Sequence, residues 1–164
     1  MKNTDKFLTG IVIAVVLLVG AAFAVALLRP KPVYQSEDAP EGVAHNYLLA
    51  LQQGDYERAY GYLAPTVEGY PPSAEAFAEN VHDYEWMFRL DEASITLVVE
   101  SARVTGDRAT VTVRETRFSQ GGLFESSQSS DTFEMRLGHD VSVWRIIGSD
   151  AYWAYCWDDK EGCR

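Results

Sequence analysis

Residues 41–65, "EGVAHNYLLALQQGDYERAYGYLAP", decide how the rest of the chain is read. Val43, Tyr47, Ala50 and Leu51 recur at helical spacing, with Ala44 and Leu48 beside them. Pro40 opens this helix and Glu41 suits its positive end. Gly54 can stop it in a left-handed conformation, and Asp55 can cap the next helix. Tyr56, Ala59, Tyr60 and Leu63 repeat one apolar face, and Pro65 ends it. The stretch predicts two helices joined by a two-residue corner.

Downstream, Ser73 can cap a third helix over "AEAFAENVHDYEWMFRL", in which Phe77, Val81, Tyr84 and Phe88 form one stripe. Glu85 and Arg89 stand at i, i+4, the spacing of an ion pair on the outer side. After Asp91 the period falls from about 3.6 to 2. "SITLVVESARV" reads as a strand, "TGDR" as a tight turn, and "ATVTVRETRFS" as a strand alternating between Ala109, Val111, Val113 and Thr110, Thr112, Arg114. "QGGLFESSQSS" reads as a polar loop. "DTFEMRLG" and "VSVWRIIG" follow as strands joined through His139 and Asp140. Three helices followed by four antiparallel strands predict an α+β fold rather than a doubly wound parallel sheet.

Upstream, residues 1–6 form a short tail and residues 7–28, "FLTGIVIAVVLLVGAAFAVALL", carry no charge. A helix of that length rises about 33 Å, enough for the roughly 30 Å hydrocarbon core of a bilayer. The expectation is one uncleaved transmembrane helix and a single-pass protein of the cytoplasmic membrane. The small residues "AFAVA" also fit a cleavage site, so removal is the alternative. Lys2 and Lys6 on one side balance Arg29 and Lys31 on the other, which leaves orientation to weaker arguments. A cysteine pair close in sequence, Cys156 and Cys163, suits an oxidising compartment and places the C-terminal domain outside. Residues 29–39 carry three-proline spacer chemistry together with Pro40 and read as an extended tether.

From residue 34 onward ten basic face 23 acidic side chains, a formal charge of −13. Such a domain repels phosphate backbones and excludes nucleic acid as a partner.

The order of elements is similar to the nuclear transport factor 2-like superfamily, a bent antiparallel sheet wrapped around helices as a cone. The resemblance rests on "NYLLALQQGDYERAYGYLAP", with Gly54 and Asp55 at the corner and Ala59 and Tyr60 after it. It rests also on "VSVWRIIG", in which Trp144 and Ile146 share a face. It spans residues 40–150 and implies three helices packed on a curved sheet of four or more strands. It implies that any catalysis would use carboxylates or histidines inside the cone, where apolar surroundings shift their pKa.

The groups available are His45, His82, Asp83, Glu115, Glu134 and His139. His82 and Asp83 are helix neighbours and diverge by about 100°, so they do not make a ready dyad. His82, Asp83 and His45 are the catalytic candidates, and none is assigned a role. One Glu-x-x-His spacing is too few for a di-iron bundle, and no metal or cofactor is expected. Arg114, Arg117, Glu134 and Arg136 fit cross-strand ion pairs. Tyr60, Tyr84, Arg114 and Trp144 are the candidates for lining a ligand pocket. The end, residues 151–164, holds Tyr152, Trp153, Tyr155 and Trp157 inside or beside a Cys156–Cys163 ring. It reads as a stapled tail over an open end of the cone, or as an aromatic patch for a partner or the membrane interface. The function expected is a non-catalytic binding or scaffolding domain of the bacterial cell envelope, with an envelope protein or a second copy as partner. The alternative is an isomerase, dehydratase or hydrolase-like enzyme, or a ligand carrier, using the cone.

Overall fold

The structure is a computed structural model that describes residues 2–27, 32–89, 95–120, 126–140 and 142–163. The chain forms two compact units, Met1–Pro32 and Val33–Arg164.

The first unit is helix α1, Lys2–Leu27. Among the described residues no helix is long and apolar enough to cross a membrane. Side chains of α1 are described over residues 8–23, a rise of about 24 Å against the roughly 30 Å of a hydrocarbon core. The expected span over 7–28 is therefore not met by the described residues, and Leu28 lies outside them. Those side chains are exposed all along the helix, Leu8, Leu17, Leu18 and Phe23 among them.

The second unit has α2 (Pro40–Gln53), α3 (Tyr56–Gly61), α4 (Ala74–Asp83) and α5 (Glu85–Phe88). Strands β1 (Ile95–Thr105), β2 (Arg108–Gln120), β3 (Ser126–Asp140) and β4 (Val143–Ser149) follow. They pair antiparallel in the order β1-β2-β3-β4. The α+β class and the helices-then-sheet order are as the sequence predicts. The register shifts leave one extra residue, Glu100 in β1 and Ile147 in β4, bulges that bend the sheet.

The corner forms as read: Pro40 opens α2, Gly54 ends it at φ 70°, and Asp55 accepts a hydrogen bond from the Arg58 amide at 3.2 Å. Ser73 caps α4 through the Ala76 amide. Three expectations are corrected. First, α3 stops at Gly61, not at Pro65. The Ile146 amide donates to the Tyr62 carbonyl (2.9 Å) and the Ala64 amide to the Ile146 carbonyl (2.8 Å). This segment therefore leaves the helix and bridges the free edge of β4 at Leu63. Second, the third helix breaks at Tyr84 into α4 and α5. Third, the loop expected over 120–130 is shorter: Gln120 and Ser126–Ser130 continue the β2–β3 ladder, Gln120 opposite Ser126, while residues 121–125 lie outside the described residues. β3 likewise runs on through His139 and Asp140.

α2 is buried around most of its circumference, not on one stripe. The sheet covers one side. The other is covered by Val33–Asp38, the later half of the expected spacer. Asn46, fully buried, accepts from the Gln35 amide (2.7 Å) and donates to the Gln35 carbonyl (2.9 Å), as a strand partner would. Tyr34 lies over the Arg58 guanidinium at 3.5 Å, and Tyr62 donates to Glu37 at 2.7 Å.

The C-terminal tail is part of the core. Trp157 is fully buried in a 3-10 turn, Tyr155–Asp158. Its ring stacks on Phe77 (5.1 Å) and meets Phe88 and Trp153 edge-on. Its indole N–H donates to Asn80 at 3.0 Å. Cys156 and Cys163 form the disulfide that the sequence allows. Gly69 lets this turn approach: its amide donates to the Trp157 carbonyl at 2.9 Å. A Cβ there would overlap the Cys156 carbonyl and sit 2.7 Å from that of Asp159. Gly69→Ala is therefore expected to destabilise the fold by about 1–3 kcal/mol through overpacking. Gly61→Ala, in open space at the end of α3, should raise stability by about 0.5 kcal/mol. Urea denaturation of both variants checks the contrast.

Candidate functional site

The inward face of β2 runs Ala109, Val111, Val113 and then Glu115, each buried. Glu115 is 2% exposed. A lone carboxylate in that position is prohibitive unless it is paired and hydrogen-bonded. Arg89 donates to both oxygens, at 2.9 and 3.0 Å. Arg117, two residues along the strand, pairs with Oε1. The Tyr152 hydroxyl donates to Oε2 at 3.2 Å.

Local backbone serves this cluster. Arg89 ends α5 at φ 50°, and Tyr152 sits at φ 56°. Such conformations are rare for residues with a Cβ and persist where surroundings over-determine them. The Tyr152 carbonyl accepts from the Tyr47 hydroxyl at 2.7 Å, and its ring packs on Phe133. Arg89 thus pairs with Glu115, not with Glu85 as the helical spacing suggested. A buried carboxylate is the stronger attractor, because an exposed i, i+4 pair is worth only about 0.3–0.5 kcal/mol.

The residues nominated from sequence lie apart. His82 is exposed and edge-on to Tyr56 at 5.5 Å, and Asp83 is exposed beside it. His45 Nε2 lies 3.1 Å from the Val33 carbonyl. Tyr60 packs between Tyr70 and Phe77 and donates to the Pro71 carbonyl. Tyr84 meets Tyr155 edge-on. Arg114 is on the solvent face of the sheet, paired across strands with Glu100. Trp144 is buried and packs against His139 at 4.7 Å. Arg136 pairs with Asp150, the residue just after the end of β4, and not with a residue of a neighbouring strand. Among the described residues no group of His, Cys, Asp and Glu is placed to hold a metal ion.

Sequence reasoning listed Glu115 but did not bring Arg89 or Tyr152 to it. The signal was the alternation itself: period 2 puts residue 115 on the same face as Val111 and Val113. A carboxylate there demands a cation.

A second feature is an open cleft of about 580 Å³ at the hairpin tips. It lies between the Ala64–Glu68 loop, the β1–β2 turn at Asp107 and Arg108, and the ends of β3 and β4.

No family model matches the sequence, and no curated protein matches it. Solved structures are similar to the chain at low identity. A candidate ketosteroid isomerase from Shewanella frigidimarina is 22% identical, with 70% of this chain and 95% of that one covered at a TM-score of 0.48. A SEC-C motif-containing protein from Rhodopseudomonas palustris is 19% identical, covering 71% and 81% at 0.48. A nuclear transport factor 2-like protein with a cystatin-like fold from Novosphingobium aromaticivorans is 16% identical, covering 80% and 86% at 0.45. No activity is taken from likenesses of this degree. On its own topology the domain is α+β, helices followed by a bulged four-stranded antiparallel sheet, which is the element order implied by the sequence resemblance to the nuclear transport factor 2-like superfamily.

Two predictions follow from the buried polar groups. Glu115→Ala leaves Arg89 and Arg117 facing each other without their carboxylate. Breaking a buried pair costs about 3–5 kcal/mol. These guanidiniums are 34% exposed, so a loss of about 2–3 kcal/mol is expected by urea denaturation. Tyr152→Phe should cost about 1 kcal/mol.

The second concerns alkali. Burial, and then the hydrogen bond with Tyr60, push the Tyr70 hydroxyl up to about 12. Full burial raises Tyr47 well above its ordinary value. A raised folded-state pKa gives stability that is complete below the unfolded value of about 10 and lost as pH climbs. Stability should therefore decline from pH 10 to 12, and Tyr70→Phe should make that decline shallower in denaturation series at pH 8, 10 and 11.

Proposed function

We propose that this chain is a membrane-anchored, non-catalytic binding or scaffolding domain displayed outside the bacterial cytoplasmic membrane. The observation that carries the non-catalytic part is the state of the cone interior. Its one buried carboxylate among the described residues, Glu115, is engaged by two guanidiniums and a phenol. A general base needs a lone pair within reach of a substrate proton. Trp157, Tyr152, Phe77 and Phe88, all fully or nearly fully buried, take up the space a substrate would need.

Two observations support anchoring. Apart from Thr9, the described side chains of α1 are apolar and exposed around the helix, and a helix apolar nearly all round is found in a protein core or a bilayer. The uncharged run continues in sequence from Phe7 to Leu28, about 33 Å as a helix. The Cys156–Cys163 disulfide supports an oxidising compartment on the far side. The partner is an envelope protein or a second copy of the chain. The acidity of the domain, −13 from residue 34 on, argues against nucleic acid.

External protease added to intact cells that express a C-terminally tagged chain tests this. Tag loss without permeabilisation is expected. A tag that stays protected until lysis would overturn the topology.

A further inference from the structure

Eight arginine side chains are described, at positions 58, 89, 103, 108, 114, 117, 136 and 145. Five have a carboxylate within ion-pair distance: Arg58, Arg89, Arg114, Arg117 and Arg136. Of the other three, Arg108 and Arg145 line one and the same cleft. Arg145 is half-buried on β4 and has no carboxylate within ion-pair distance among the described residues.

The cleft around it is chemically divided. Val67 and Ile147, buried and half-buried, give it an apolar floor. Glu68, Asp107, Asp140 and Asp158 stand exposed around it. At about 580 Å³ the space is of small-ligand size. A plain anion would reach Arg145 but meet the acidic side chains. A plain cation would be attracted by those and meet Arg145. A molecule with both charges and an apolar body satisfies every wall.

We propose that this cleft binds a zwitterion of the amino-acid class. Its carboxylate sits on Arg145, its ammonium faces the exposed carboxylates, and its side chain lies on the Val67 and Ile147 floor. A guanidinium holds a carboxylate through two parallel N–H···O bonds, which fixes orientation as well as charge. The inference rests on the binding reading above and not on the topology reading, so a protected tag would leave it standing.

The test is calorimetric titration of the full-length chain in detergent micelles with phenylalanine, phenylalaninamide and N-acetylphenylalanine. The amide lacks the anionic end and the acetyl form the cationic end. Phenylalanine should bind saturably and each derivative at least tenfold more weakly. Arg145→Met should weaken phenylalanine at least tenfold, and Arg145→Lys should restore part of the loss in a chain of wild-type thermal stability. Asp140→Asn should narrow the preference for phenylalanine over its acetyl form. Absence of phenylalanine binding, equal binding of either derivative, or binding unaffected by Arg145→Met would overturn the proposal. Failure here with the tag exposed would leave an anchored scaffold whose partner binds elsewhere.

Discussion

A carboxylate placed on the apolar face of a strand has to be neutralised, and much of this domain is arranged to do so. Glu115 draws Arg89 from the end of α5, Arg117 from its own strand and Tyr152 from the segment after β4. Those three positions are far apart in sequence. The cluster therefore ties the helical layer, the sheet and the C-terminal tail at one point. Both described non-glycine residues with positive φ, Arg89 and Tyr152, belong to it. The strain sits where the electrostatic demand is strongest. A hydrophobic residue of similar size would be cheaper in stability, so a cluster of this kind is better understood as fixing where the tail and α5 must lie.

The tail is then held by packing more than by its covalent staple. Burying a tryptophan removes roughly 200 Å² from water, about 5 kcal/mol of transfer free energy as an upper bound. A disulfide closing so short a ring contributes about 2.5 kcal/mol on the chain-entropy account. Trp157 is fully buried and hydrogen-bonded to Asn80, and Trp153 and Tyr152 are buried beside it. The close approach at Gly69 is a condition of that burial. The disulfide sharpens the geometry of a segment that the core already wants.

Local signals were legible because each is set by its own few residues. Gly54, Asp55, Pro40 and Ser73 act on the nearest turn of backbone, and all four act as their chemistry dictates. The alternation of β2 was legible for the same reason. What sequence did not reveal were the cases where a distant partner outbid a local one. α3 gives up its last turn because Ile146 offers the Tyr62 carbonyl and the Ala64 amide a sheet bond. Arg89 leaves Glu85 for Glu115. The spacer residues Val33–Asp38 fold back because Asn46 supplies a backbone-like pair of bonds. The nominated site residues failed to gather for a related reason: type and spacing were known, but not which aromatic would be consumed by the core.

The domain interior and the outer cleft differ in how their charges are matched. Acid–base chemistry in a cone needs room beside an ionisable group and a lone pair left to act. Glu115 has neither: Trp157, Phe88 and Tyr152 crowd the interior, and four hydrogen bonds occupy its two oxygens. At the hairpin tips the balance is reversed. There the space is open and Arg145 is left without a carboxylate among the described residues, while Glu68, Asp107 and Asp140 stand exposed around it. Charge that is matched inside the fold stabilises the fold. Charge that the fold leaves unmatched beside an open apolar surface is available to something else.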